Sequence, residues 1–233
     1  MPELPDVSAL ARLLADPTRG RLLDLLMDGQ AHTALELARA GGVTPQTGTY
    51  HLHKLVELGV VTTTCQGRHH YFMLADPTVA AAFETLSGLV PARPVQALSR
   101  RRPAAALAYA RTCYDHLAGT VGVAICDAMQ AQGLLRVVAQ RFVLTPAGEG
   151  WLQRTLAIEP ATLAQQSRQL TVRCLDWSQR RYHLGGAVGH AMLVALEARE
   201  VLTRGPARAV SVTPSGRRWC ATTLGLTLPA APQ

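Results

Sequence analysis

The chain lacks the marks of a membrane protein, a secreted domain and the familiar motif-bearing enzymes. No window of eighteen residues is both free of charge and strongly apolar, which argues against a transmembrane helix. Met1-Pro-Glu-Leu-Pro-Asp6 has neither the basic opening nor the apolar run of a secretory leader. These absences point to a cytoplasmic protein with no membrane partner. Cysteine is sparse and odd in number, at 65, 113, 126, 174 and 220. Such a scattered set reads as free thiols or ligands rather than as a disulfide framework. There is no Gly-rich phosphate loop, no nucleophile elbow and no His-Glu-x-x-His run, so an enzyme finds no motif to rest on.

What is present is apolar enough to build cores, with 48% hydrophobic residues over 233 positions, a length that suits two domains. The net charge of +7 is unevenly placed. Residues 1–90 carry six Lys and Arg against nine Asp and Glu, whereas residues 91–233 carry seventeen against seven. Total charge therefore cannot argue for DNA binding, and a motif must carry that reading.

The first ninety residues read as helices and turns with local start and stop signals. Asp6 can cap a helix from Val7 to Ala15, and Asp16-Pro17 opens a second that Gly29 should end. Thr33 can cap a third (Ala34 to Ala40), closed by Gly41-Gly42, and Thr44-Pro45 opens a fourth running to Leu58. Two β-prone runs flank Gln66-Gly67-Arg68 as a hairpin, and Asp76-Pro77 starts a last helix to about Leu89. Residues 34–58 thus have the form of a helix-turn-helix, with Leu37, Val43, Leu52 and Leu55 as the holding positions. Thr44 leaves helix N–H groups free to meet a phosphate. Gln46, Thr47, Thr49, Tyr50, His53 and Lys54 face solvent and can bond base edges or phosphates of double-stranded DNA. Arg68 and His69, with His70, sit on the hairpin tip as a wing; His51 reads as a packing or capping residue rather than a base reader.

Over Leu14–Leu86 the chain resembles the ArsR (arsenical-repressor) family: LADPTRGRLLDLL, then ELARAGGVTPQTGTYHLHKLVELGVV, then GRHHYFMLADP. The resemblance implies a winged helix-turn-helix repressor, homodimeric through the first and last helices of the domain and released from its operator by an effector. Two features depart from the family. The stretch Ala34–Ala40 has no cysteine box, and Pro77–Leu86 has no histidine. Neither of the family's usual metal sites exists in this domain, which directs attention to the second half.

That half contains an internal repeat. Cys113-Tyr-Asp115-His116 is answered by Cys174-Leu-Asp176 and then His183, offset 61 at the Cys and Asp and 67 at the His, a six-residue insertion lying between. Farther on, Phe142-Val-Leu-Thr-Pro-Ala-Gly-Glu-Gly-Trp151 matches Val210-Ser-Val-Thr-Pro-Ser-Gly-Arg-Arg-Trp219. Each copy reads as helix, short helix, strand pair and a Thr-Pro-capped helix, with Trp151 and Trp219 as core anchors. The expected architecture is mainly α with small β-hairpin wings. A winged helix-turn-helix (6–90) leads through a Pro- and Arg-rich linker (91–103) to a C-terminal domain (104–228) of two winged-helix-like repeats, about 104–158 and 165–224.

Cys113, His116, Cys174 and His183 are candidate ligands for zinc or another thiophilic ion, if approximate twofold packing brings the copies face to face. Cys113 and His116 are expected on one face of a helical turn, with Asp115 and Asp176 behind the ligands. Two other readings stay open: buried polar pairs that serve the fold, and a redox switch through Cys113–Cys174. Trp177, Arg180 and Arg181, in or beside the insertion, could line a pocket for an anionic or aromatic effector. The resulting function is a DNA-binding regulator, a repressor controlled from its C-terminal domain and not an enzyme. The alternatives are a C-terminal domain used only for dimerisation or extra DNA contacts, and a thiol or metal-dependent enzyme there.

Overall fold

The structure is a computed structural model and describes residues 6–90 and 98–232. It divides into two units, residues 1–81 and 82–233. In the first unit the capping signals act as expected. The Asp6 carboxylate accepts from the N–H groups of Ser8 and Ala9 to start α1 (Val7–Leu14). Asp16 does the same for Thr18 and Arg19 at α2 (Pro17–Leu26), with Pro17 in the first turn, where its missing N–H costs nothing. A short strand β1 (His32–Thr33) leads into α3 (Ala34–Gly41), where Thr33 and Glu36 form a reciprocal capping box. Gly42, at φ 68, turns the chain towards α4 (Pro45–Glu57), and the Thr44 hydroxyl accepts from the Thr47 N–H at 3.2 Å.

Strands β2 (Val61–Gln66) and β3 (His69–Leu74) pair antiparallel about Gly67-Arg68. Strand β1 takes the other edge of β3, giving the order β1-β3-β2. Leu22, Leu23, Leu26, Met27, Leu37, Leu52 and Leu55 are all at or below 2% exposure and form the core, each worth about 1.5–3 kcal/mol of burial. α3 and α4 cross so closely that a Cβ on Gly48 would stand 2.7 Å from that of Ala38. A side chain there would have to push the helix pair apart.

Helix α5 (Pro77–Leu89) runs across the division between the units. Its C-terminal part belongs to the second unit because Glu84 forms a buried ion pair with Arg208 at 2.9 Å and Arg180 donates to the Gly88 carbonyl at 2.8 Å. The division thus falls ahead of the expected boundary at 90. The linker expectation at 91–97, like the reading of Met1–Pro5, lies outside the described residues. Residues 98–103, expected as linker, are helical: they open α6 (Leu98–Tyr109) with Pro103 inside it.

The second unit repeats one module. The first copy is β4 (Arg111–Cys113), β5 (His116–Ala118), α7 (Gly119–Ala131), β6 (Leu135–Val138), β7 (Arg141–Leu144) and α8 (Pro146–Leu156). After a four-residue helix α9 (Pro160–Leu163) come β8 (Val172–Leu175), β9 (Tyr182–Gly185), α10 (Gly186–Ala198), β10 (Leu202–Arg204), β11 (Val210–Val212) and α11 (Pro214–Leu224). Both Thr-Pro helices are capped as expected, Thr145 and Thr213 accepting from Gly148 and Gly216. Each module therefore opens with a β-hairpin, where the sequence pattern predicts a helix. The copies interlock reciprocally, α7 packing on β9 and α10 on β5. Their shared core runs through Ile125, Met129, Leu152, Val188, Leu193 and Leu196. Trp151 in that core meets the partly buried Trp219 against it edge to face at 6.3 Å.

Candidate DNA-reading helix and candidate metal centre

On α4 the turn and the capped N-terminus leave one polar face outward. Thr44, Gln46, Thr47, Tyr50 and His53 are exposed, while Thr49 and Lys54 are half-buried. Tyr50 stands out at 58% exposure. Lys54 holds Glu57 at 2.8 Å, so its ammonium is already partly spent within the helix. The opposite face buries Gly48, His51, Leu52 and Leu55. His51 packs inside, 4.0 Å from Asp16, in the role read for it. At the wing Arg68, His69 and His70 are all exposed, and His70 Nδ1 lies 3.2 Å from the Cys65 sulfur.

In the second unit, Cys113 and His116 are directly opposed partners across the β4–β5 pair, and Cys174 and His183 across β8–β9. The expectation that Cys113 and His116 share a helical turn is corrected here. Three-residue spacing also fits a two-residue hairpin turn, and Tyr114 supplies the positive φ (59°) that such turns demand. Cross-strand partners project on one side of a hairpin, so each copy presents one sulfur and one imidazole together. Interlocking of the copies then brings all four groups into one place, their ligand atoms within 4.8 Å of one another. The two sulfurs are 3.7 Å apart and the two Nε2 atoms 3.1 Å apart, with the rings stacked. For Zn–S of about 2.3 Å and Zn–N of about 2.0–2.1 Å, tetrahedral edges are about 3.8 Å between sulfurs and about 3.3 Å between nitrogens. The donor set thus suits a thiophilic ion in type and in these two spacings.

Behind each imidazole stands a carboxylate. Asp115 Oδ1 is 3.3 Å from His116 Nδ1, and Asp176 Oδ2 is 3.8 Å from His183 Nδ1. Asp115 is clamped by Arg168 through both carboxylate oxygens and approached by His190 at 3.5 Å. Asp176 is fully buried. Its Oδ2 accepts from Arg111 at 3.0 Å and from the Gly119 N–H at 2.7 Å, and its Oδ1 accepts from Ser178 and Gln179. Contact with Cys174, then burial, hold the Cys113 thiol well above its ordinary pKa. Burial, then the neighbouring His116, push the His183 pKa well below its ordinary value. For His116 burial acts the same way, but the Cys113 sulfur and Asp115 outweigh it and lift the pKa to about 9.

A profile of the family described as "Helix-turn-helix domain" matches residues 14–64. The HTH-type transcriptional regulator YdfF of Bacillus subtilis is 38% identical over 214 residues, covering 91% of this chain and 94% of YdfF. The chain belongs to the HTH-type transcriptional regulators. The HTH-type regulator CmtR of Mycobacterium tuberculosis is 42% identical over 86 residues of this regulator, 36% of its length and 72% of CmtR. The solved structure of CmtR, described as a cadmium metal-sensor, aligns at 36% identity over 39% of this chain and 93% of its own, with a TM-score of 0.32. The regulator is of the ArsR and CmtR type, as the residues of its first unit already indicated. The similarity to YdfF extends through the second unit as well.

In this regulator the insertion residues part company. Trp177 lies face-on to the Arg111 guanidinium at 4.4 Å. Arg180 and Arg181 line a separate cavity that Trp177 does not reach. Sequence reasoning passed over Arg111, Arg168 and His190. Arg168 lies 53 residues from the Asp115 it grips, and neither Arg111 nor Arg168 has a counterpart in the other copy. No local signal marks any of the three.

Proposed function

We propose that this regulator is a cytoplasmic repressor that binds double-stranded operator DNA as a homodimer. Zinc or another thiophilic ion, held by Cys113, His116, Cys174 and His183, would govern its grip on DNA. The convergence of four ligand atoms within 4.8 Å carries the reading. The Asp115 carboxylate behind His116 supports it, since metal-binding histidines ordinarily pass their second N–H to such a partner. The cadmium sensing named for CmtR is consistent with control by a soft ion. DNA contact falls to Thr44, Gln46, Thr47, Thr49, Tyr50 and His53 on α4, with Lys54 beside them and Arg68 and His69 on the wing. Val7, an apolar residue 72% exposed on the first helix of the DNA-reading unit, suits a dimer contact. No helix among the described residues is long and apolar enough to cross a membrane.

The competing readings account for less. Fold maintenance alone gives no reason for two sulfurs and two imidazoles to converge within 4.8 Å. A disulfide would draw the sulfurs from 3.7 Å to about 2.05 Å, but it gives the paired imidazoles no task. Catalytic metal sites keep an open coordination position, whereas Cys113, His116 and His183 are all buried. The test is elemental analysis of protein purified without chelator, followed by gel shifts on its own promoter DNA with added zinc and cadmium. One ion per chain and a fall in DNA affinity that Cys113→Ser and Cys174→Ser abolish are expected. No stoichiometric ion and no response to either metal would overturn the proposal.

A further inference from the structure

The insertion that separates the copies builds a cavity of about 260 Å³ within the second unit. Its walls are Asp127 and Gln130 of α7, Phe142 of β7, Arg173 of β8, and Arg180, Arg181 and Tyr182 at the entry to β9. Three arginines and a single carboxylate, Asp127, line it. The Arg173 guanidinium carbon lies over the Tyr182 ring, 3.7 Å from its centre, and 6.0 Å from the centre of Phe142. One Arg173 nitrogen reaches Gln140, but its Nε is buried with no hydrogen-bond partner. Buried donors of this kind are costly to leave unmade, the more so on a cation. Arg181 spends one nitrogen on Asp127 at 2.8 Å and keeps its remaining donors in solvent, its side chain being 62% exposed.

Arg180 is used otherwise. Its guanidinium donates to the carbonyls of Gly88 and Val90, tying down the end of the loop. The first copy joins β4 to β5 through Tyr114 and Asp115 alone, so it has no loop with which to build a matching cavity. The site is thus a property of the insertion, not of the repeated module.

Charge-assisted donors beside two aromatic faces match an anionic group carried on a flat ring. A carboxylate can take paired donors from one guanidinium and a further bond from a second. We propose that this cavity binds a small aromatic carboxylate, its oxygens bridging Arg173 and Arg181 and its ring lying against Tyr182 and Phe142. The site is separate from the Cys and His cluster and can be assayed without metal or DNA, so its failure leaves the repressor reading untouched.

The experiment is calorimetric titration of the full-length protein with benzoate, benzamide, acetate and inorganic phosphate, with and without chelator. Saturable benzoate binding is expected, with benzamide, acetate and phosphate each weaker by about tenfold or more. Arg173→Gln and Arg181→Gln should each weaken benzoate by about tenfold while leaving the melting temperature near that of the parent. Should Arg173→Gln disturb folding, the exposed Arg181→Gln carries the test alone. Absence of saturable benzoate binding up to roughly 10 mM overturns the proposal. So does benzamide or phosphate binding as tightly as benzoate, or benzoate binding that Arg181→Gln leaves unchanged.

Discussion

Replacing Asp176 with alanine removes one side chain that serves both copies of the repeated module. Its Oδ2 receives Arg111 and the Gly119 N–H from the first copy, and its Oδ1 holds the loop at Ser178 and Gln179 in the second. Both Asp176 and Arg111 are fully buried. The alanine variant leaves the Arg111 cation uncompensated in the interior, a defect that costs about 3–5 kcal/mol. For a unit of this size that corresponds to a drop in melting temperature of roughly 6 to 20 °C. All three tryptophans, at 151, 177 and 219, lie in the second unit, so denaturant titration followed by tryptophan fluorescence reports on that unit selectively. The double variant Asp176→Ala with Arg111→Met removes the stranded charge and should recover part of the loss. A single-variant cost below about 1 kcal/mol, or no recovery in the double variant, would show that the pair does not join the copies as argued.

Four further outcomes follow from the first unit. Gly48→Ala forces a methyl against Ala38 at 2.7 Å, and should cost about 1–3 kcal/mol in thermal denaturation along with operator affinity in gel shifts. Tyr50→Ala should reduce affinity for the operator more than for unrelated DNA. Arg68→Ala should weaken both alike and lower the salt dependence of binding by about one unit of slope, as measured by fluorescence anisotropy over a salt series. The carboxylates of Asp6, Glu36 and Asp76 have lowered pKa values because they accept hydrogen bonds at helix starts; at Asp16 such bonds outweigh burial, which acts to raise the pKa. Because their folded-state values lie below the unfolded ones, their stabilisation is complete above the ordinary carboxylate range and is lost as pH falls through the lowered values. Circular dichroism of the isolated first unit should therefore show helix loss beginning below about pH 4, and an acid midpoint shifted upward by Asp16→Asn.

Local chemistry was legible where the partner lies within a few residues. Asp6, Asp16, Thr33, Thr44, Thr145 and Thr213 all cap the helices that their positions indicate. Each such bond spans two or three residues and needs no tertiary context. The β4–β5 hairpin was misread because its spacing satisfies a helical turn equally well and its tight turn contains no glycine. The four-residue Cys and His set could still be found, since the repeat marked its members whatever element carried them. The Arg168 clamp on Asp115 and the Arg111–Asp176 pair escaped notice, for each joins residues more than fifty positions apart and follows only from packing. The cavity illustrates the same divide. Two of the three insertion residues singled out do line it, but Arg173 and Phe142, which give it its chemistry, come from separate strands.

Each copy of the module supplies one sulfur and one nitrogen, half of the coordination shell proposed above. Separate half-shells would have to find each other by diffusion, and their grip on an ion would weaken as the protein became dilute. Carried on one chain, with residues 114–182 tethering them, they meet at an effective concentration set by the fold. Under the proposed metal control, occupancy would follow the free concentration of the ion alone, so a cell could halve its stock of the protein without moving the threshold of the response.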